Sequence, residues 1–337
     1  MKEEKLVVGV IGLHFGKTHL NAALANGAEV AAICDLDEER LNAAAEEFNI
    51  PKEKRFTDYR ELLKMEEINV VTLGIPDQQH KKLVLEFLNA GKNVMCEKPL
   101  ALTRADLEEI IKATEKSDKK LMVGQICHFT PSFMKAKEII DSGEIGEVYY
   151  VESEYAHDYV KLESVWRNDP IRHGVIGGGC HAVDLLRWFV GDPIEVFAYG
   201  AHKAMLHLPY DDATISVLKF NNGVIGKVFV STGCKRNYTM RTLVYGTLGT
   251  IICDNTSTTL QVFKTDSVNE LVGDPEIVEV DPKNHNAEDE FKEFADALLN
   301  DKPVIMSALE GAKTIEACLS IVESAKTGKI VKPNYNF

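Results

Sequence analysis

The sequence predicts a two-part α/β chain: a doubly wound parallel sheet over residues 1–126, then an α+β domain with a large, mostly antiparallel sheet over 127–337. Three observations carry this reading. Up to Gln125, continuous apolar runs of strand length alternate with helical stretches, the pattern of a parallel sheet buried on both faces. The first run ends in a glycine turn that opens a helix. After Gln125 the strands alternate apolar with polar residues and are separated by hairpin signals such as Asn221-Asn222-Gly223. A chain of 337 residues is also long for one core, so two domains suit its length.

Residues 5–11 form the first apolar run, and Gly12 and Gly16 lead from it into a helical stretch over 17–25. Such a turn aims backbone N–H groups and the helix N-terminus at a pyrophosphate, with His14 and Phe15 inside the loop. It departs from G-x-G-x-x-G, because His14 stands in place of the second glycine and the loop is one residue short before Gly16. Residues 28–34 form the second run, which stops at Asp35, 23 residues after Gly12. A carboxylate there accepts the adenosine ribose hydroxyls and repels a 2′-phosphate, which favours NAD over NADP. Asp35 also suits a helix N-cap, and the two roles are compatible. Arg40, set among Asp37, Glu38 and Glu39, reads as a solvated helix residue. Helices over 41–48 and 58–63 follow, then a strand over 70–75 ending at Ile75-Pro76. The turn at Pro76-Asp77 suits a bound ligand. His80 lies on the first turn of the next helix, either as a cofactor contact or as a half-buried helix histidine.

The following strand, Lys92-Asn93-Val94-Met95-Cys96-Glu97-Lys98-Pro99, ends in two opposite charges and a proline. Either charge buried alone is costly, and ligands of an open parallel sheet sit beyond the carboxyl ends of its strands. Lys98 is therefore the first candidate for chemistry, against the alternative of an exposed loop lysine. Pro99 is expected to shape the turn that aims it, through a cis Lys98–Pro99 bond. A helix over 104–115 and a strand over 121–125, ending at Gln125, complete the first domain.

The second half opens with a helix over 131–142, continues through strands over 147–157, 195–200, 213–220, 224–232, 242–245, 250–253 and 259–263, and closes with amphipathic helices over 287–299 and 308–326. Its informative stretch runs from Trp166-Arg167 to Gly177-Gly178-Gly179-Cys180-His181-Ala182-Val183-Asp184. His181 and Asp184 are three residues apart and share a helix face. On the first helical turn the dipole disfavours imidazolium, which keeps His181 available as a neutral base. The glycines admit a ligand close to the backbone. The alternatives are a helix-capping His181 and an Asp184 paired with a neighbouring arginine. Tyr155 and His157 end the strand over 147–157, either as substrate contacts or as solvent-facing strand-end residues.

The order of glycine turn, Asp35, Ile75-Pro76-x-x-x-His80 and Ala90-Gly91-Lys92-x-Val94-x-x-Glu97-Lys98-Pro99 resembles the Gfo/Idh/MocA family, that of glucose–fructose oxidoreductase and inositol dehydrogenase, from about Lys5 to Pro333. The resemblance implies a Rossmann-type NAD-binding first domain and a second domain that binds substrate and oligomerises. It implies that Lys98 touches both nicotinamide and substrate hydroxyl. Glu97 then shapes a cofactor site that also takes in Gly12, His14, Phe15, Gly16, Asp35, Ile75, Pro76, His80 and Gln125. Trp166 and Arg167 resemble a segment that closes over the nicotinamide. Two departures stand out: Gly177 holds the place of an aspartate in the family's Asp-x-x-x-His, and His128 that of an arginine. The first leaves more weight on His181; the second marks His128 as a specificity residue beside the substrate. The open face of the second sheet implies a homodimer or homotetramer.

The expected activity is NAD-dependent hydride transfer between nicotinamide and a sugar, an inositol-like polyol or a sugar-derived alcohol. His181 takes the hydroxyl proton, Lys98 stabilises the developing alkoxide, and Asp184 orients His181 or the adjoining loop. Two other classes share these features: enzymes that use transient oxidation for glycoside cleavage or elimination, and NAD-binding regulators without catalysis. A net charge of −14 and a pI near 5.2 argue against nucleic acid or an anionic membrane as partner. No apolar run is long enough to span a bilayer, and the N-terminus leads straight into a strand without a secretory pattern. Seven dispersed cysteines read as reduced cytoplasmic thiols. No Cys-x-x-Cys or His-Glu-x-x-His supports a metal site.

Overall fold

The computed structural model describes residues 5–337 apart from 163, 165, 267–269 and 282–284. The chain divides into two compact units. One holds the chain up to Gln125 together with Asn286–Ala312; the other holds Ile126–His285 and Lys313–Asn336. Residues 286–312 therefore belong with the first unit, whereas a simple cut at residue 126 assigns them to the second.

In the first unit the strands are β1 (Val7–Ile11), β2 (Glu29–Cys34), β3 (Arg55–Phe56), β4 (Val70–Leu73), β5 (Asn93–Glu97) and β6 (Leu121–Gly124). Between them run α1 (Gly16–Ala25), α2 (Glu38–Glu47), α3 (Arg60–Lys64), α4 (His80–Asn89) and α5 (Arg104–Lys116). The sheet order is β3-β2-β1-β4-β5-β6, and every pairing is parallel. The strand order reverses between β1 and β4, which opens a crevice at their carboxyl ends. All four residues of β4 and of β6 are buried, as strands covered on both faces require. The sequence missed β3, which is only two residues long and only half-buried. It also placed a cap at Asp35, but the residue that caps α2 is Asp37, whose Oδ1 accepts the Arg40 N–H at 3.0 Å.

The second unit carries α6 (Pro131–Asp141), β7 (Val148–Ala156), α7 (Gly174–Gly177), α8 (Cys180–Val190), β8 (Pro193–Ala201), β9 (Ala213–Phe220), β10 (Ile225–Ser231), β11 (Thr242–Gly246), β12 (Gly249–Cys253), β13 (Thr259–Lys264) and β14 (Glu276–Glu279). Its eight strands are ordered β14-β13-β12-β11-β7-β10-β9-β8. Among the described residues only β7 and β10 pair in parallel; the other pairs are antiparallel. Along β9, Thr214, Ser216, Leu218 and Phe220 are buried while Ile215, Val217 and Lys219 are exposed, so one face is covered and one is open. β14 is an edge strand with almost no buried side chain, which is why no apolar period announced it. Helix α9 (Ala287–Leu299) packs on α1 within the first unit. Helix α10 (Ala308–Thr327) begins in the first unit and continues in the second. None of the seven cysteines is in a disulfide. Among the described residues no helix is long and apolar enough to cross a membrane.

Candidate active site

In the first unit, the glycine turn is built by close backbone approach. Gly12 has φ of 81°, in the left-handed region, and a Cβ there would lie 2.5 Å from the Gly74 carbonyl oxygen. A Cβ on Gly74 would lie 2.6 Å from the Gly16 nitrogen. Three glycines from two loops thus interlock at the crevice between β1 and β4. Gly74 escaped the sequence reading, although a glycine directly after a buried strand is itself a signal of close approach. His14 and Phe15 are exposed at the tip of this turn.

Asp35 is buried at the end of β2. Its Oδ2 accepts the Leu13 N–H of the glycine turn at 2.6 Å, and its Oδ1 accepts the Asp37 N–H at 2.9 Å. The Arg40 guanidinium lies 3.1 Å and 3.2 Å from the two oxygens and also bonds Asp37 at 3.0 Å. Arg40 is therefore engaged with this carboxylate rather than merely solvated. Ile75 and Pro76 border the turn after β4, where Asp77 is buried. His80 is fully buried; its ring spans the carbonyls of Ile75 at 3.0 Å and Pro99 at 2.7 Å. It ties two strand-end turns together instead of lying half-exposed on its helix.

Glu97 and Lys98 stand half-buried at the end of β5, and the Lys98–Pro99 bond is cis. The Glu97 carboxylate lies 3.0 Å from His19 Nε2 through Oε1 and accepts the Lys98 backbone N–H at 3.3 Å through Oε2. His19, on α1, had no signal beyond its place on a buried helix face. Gln125 is buried after β6, and neither atom of its amide group has a hydrogen-bond partner among the described residues. A polar group left so is costly unless something completes it. The glycine cradle, the carboxylate after β2 and the uncompleted Gln125 amide together fit a dinucleotide.

In the second unit, His181 sits in the first turn of α8, 2 % exposed. Its Nδ1 is 3.5 Å from Cys127 Sγ, and its ring stacks 6.2 Å from that of Tyr155 at 26°. The Tyr155 hydroxyl reaches His157 Nδ1 at 3.0 Å and the Tyr159 hydroxyl at 3.3 Å. Burial, with Tyr159 and Tyr238 nearby, pushes the Tyr155 phenol well above its ordinary range, so Tyr155 stays a hydroxyl. His157 stacks on Tyr238 at 4.5 Å, and His285 lies 6.3 Å from His181 ring to ring. Cys127, Tyr159, Tyr238 and His285 come from four separate segments, so spacing alone did not reveal them.

Asp184 is aimed at the adjoining turn. Its Oδ2 lies 2.8 Å from His128 Nε2, and its Oδ1 accepts the Thr314 hydroxyl at 2.8 Å. Arg187 Nη1 lies 3.9 Å from it. His128 also stacks on Trp188, with ring centroids 4.1 Å apart. Trp166 carries the Arg167 guanidinium over its ring at 4.2 Å and that of Arg172 at 4.9 Å. Arg172 explains Gly177: a Cβ there would lie 2.2 Å from its guanidinium carbon, and Arg172 Nη2 donates to the Gly177 carbonyl at 3.2 Å. An aspartate at 177 would need that arginine moved.

Comparison with known proteins agrees with both halves. Residues 6–125 match the profile of the oxidoreductase family with NAD-binding Rossmann fold, and residues 133–252 match the GFO/IDH/MocA C-terminal domain. Myo-inositol 2-dehydrogenase of Thermotoga maritima is 30% identical over 270 residues, covering 76% of this chain and 77% of that one. Inositol 2-dehydrogenase 2 of Saccharopolyspora erythraea is 31% identical over 256 residues, covering 72% of each. The solved structure of a levoglucosan dehydrogenase with NADH and L-sorbose shares the fold, with a TM-score of 0.89 at 24% identity over 98% of this chain and 99% of that one.

Proposed function

Because the chain belongs to the Gfo/Idh/MocA family of oxidoreductases, we propose that it is an NAD-dependent dehydrogenase of a sugar, an inositol-like polyol or a sugar-derived alcohol. The observation that carries the reading is Lys98, held at the end of β5 by the Glu97 carboxylate, on the same sheet as the Gly12–Gly16–Gly74 cradle. The relatives named above as inositol dehydrogenases support the substrate class. Bound NAD would supply the hydride acceptor. In this reading Lys98, as an ammonium, stabilises the negative charge that develops on the substrate oxygen. His181 takes the hydroxyl proton. Its local bonds suit a proton acceptor. Its Nδ1 lies 3.5 Å from Cys127 Sγ, whose thiol donates to Met240 Sδ at 3.7 Å; in the tautomer in which Nδ1–H donates to that sulfur, Nε2 is the basic nitrogen. Asp184 holds the turn at His128 and acts as a positioning residue. Tyr155 and His157 line the His181 side and, with Trp166 and Arg167, are the proposed substrate contacts.

NAD is the favoured cofactor in this reading. The Asp35 carboxylate is fixed by two backbone N–H groups, ready to accept ribose hydroxyls, and opposes a 2′-phosphate. Arg40 is turned onto Asp35 and Asp37 and so is engaged away from such a phosphate. The open face of the second sheet, with Tyr199, Ile215, Val217 and Ile225 exposed, supports a homodimer or homotetramer.

An NADH-fluorescence screen of inositols, aldoses and amino- or uronic-acid sugars would identify the substrate. With it, Lys98→Ala is expected to abolish turnover while NADH binding stays within about tenfold, about 1.4 kcal/mol. Turnover at the wild-type rate in that variant would remove Lys98 from the chemistry.

A further inference from the structure

Lys98 leaves the backbone between two peptide groups that other elements hold. After it, the Pro99 carbonyl is bonded by His80 of α4 at 2.7 Å. Before it, the Glu97 carboxylate divides its two oxygens between the Lys98 N–H at 3.3 Å and His19 Nε2 of α1 at 3.0 Å. A carboxylate only accepts, so the His19 nitrogen facing it carries a proton. His19 is 2 % exposed, and its Nδ1 has no partner among the described residues. The ring therefore has one bond on which its placement depends. A Cβ at Gly124 would lie 3.4 Å from Glu97 Cα, Cδ and Oε1, so the neighbouring strand backs the carboxylate closely.

We propose that His19 is a positioning residue for Lys98: it fixes the Glu97 carboxylate, and that carboxylate fixes the peptide from which the lysine side chain departs. The inference rests on reading Lys98 as catalytic. The clamp works only while Glu97 is ionised. Burial acts to raise its pKa, but the His19 hydrogen bond and charge, with the charges of Lys98 and His80, outweigh burial and hold it below the usual glutamate range. From α9, Glu290 faces the same group. It is fully buried, its Oε1 has no partner among the described residues, and burial together with the Glu97 charge pushes its pKa well up. Glu290 therefore stays neutral beside an ionised Glu97. Cys96, next to Glu97 on the same strand, is pushed up by burial and by Glu97 and stays a thiol. Glu97 is thus the ionised carboxylate of the pair, and His19 holds it from α1.

The test is an NMR titration of the cofactor-free protein with ¹³C-labelled glutamate carboxyls and ¹⁵N-labelled lysine. In wild type the Glu97 carboxyl should titrate below the ordinary glutamate range, and the Lys98 amide resonance should move with the same midpoint. In His19→Leu that midpoint should rise by about one pH unit or more. His19→Gln keeps an N–H donor but not the ring, so its midpoint should fall between the two. If His19→Leu does not fold, the wild type and His19→Gln still decide the matter. A Lys98 amide that ignores the Glu97 titration, or a Glu97 midpoint unmoved in every His19 variant, overturns the proposal. Neither result depends on turnover, so loss of the clamp and failure of Lys98→Ala to abolish activity are separate outcomes.

Discussion

At the scale of single residues, charge and burial decide what each candidate can do, and one residue outside the site makes this measurable. His173 precedes α7 with φ of 40°, in the left-handed region, and its Nδ1 accepts the Val175 N–H at 3.2 Å. Burial, then the charge of Lys326, lowers its pKa from 6.5 to about 4. Between those values the unfolded chain holds a proton that the folded chain does not, so acidification favours unfolding. The stability at stake is on the order of 3 kcal/mol, present above about pH 6.5 and lost as pH falls toward 4. His173→Asn keeps a side-chain acceptor but removes the titrating ring, so chemical denaturation between pH 4 and 7 should show a flatter pH dependence than wild type. Equal slopes would mean that His173 titrates normally. Residue chemistry of this kind was only partly legible. Lys98 stood out because a charge ending an apolar strand has no packing reason to be there. His173, His19 and Glu290 did not, because a buried polar residue reads like any other until its partner, from a distant segment, is known.

Among the elements, the strand-end turns of the parallel sheet carry the cofactor reading, and their fit is steric. Gly74 has no room for a side chain, since the atoms a Cβ would meet are backbone atoms of Gly16 and Gly12. Gly74→Ala should therefore displace the turn. We expect NADH affinity to fall at least tenfold by fluorescence titration, with a stability loss of about 1–3 kcal/mol. An unchanged affinity would show that the cradle does not hold the dinucleotide. The positions of these turns were legible: buried parallel strands are apolar throughout, so each run ends where the sheet ends. The imperfect glycine fingerprint was also legible, with His14 in a glycine's place. What closes the cradle was not, because Gly74 follows a different strand and meets Gly12 and Gly16 only through the reversed strand order between β1 and β4.

For the whole molecule, the second unit presents a large sheet with one face open. Helices α6 and α8 pack against it, and the buried residues Val228 and Val230 of β10 pair in register with Ser216 and Thr214 of β9. The opposite face shows Tyr199 and Ile215 in register and Val217 beside them. Exposed apolar patches of this kind mark association surfaces. Light scattering should find a dimer or tetramer, and Ile215→Asp with Val217→Asp should convert it to monomer with the fold intact by circular dichroism. A monomeric wild type would refute the assignment.

The two architectures, the order of most elements, the candidate lysine and the carboxylate after β2 were determined by the sequence itself, because hydrophobic period and strand-end chemistry are local properties of a chain. Tertiary structure alone decided which side chains complete one another. It turned Asp184 toward His128 and Thr314, put Cys127 against His181, filled the space above Gly177 with Arg172, and brought α9 back to the first unit, where Glu290 faces Glu97. The reason is physical: a hydrogen bond or a steric overlap between segments depends on distances set by packing, and no spacing along the chain encodes them.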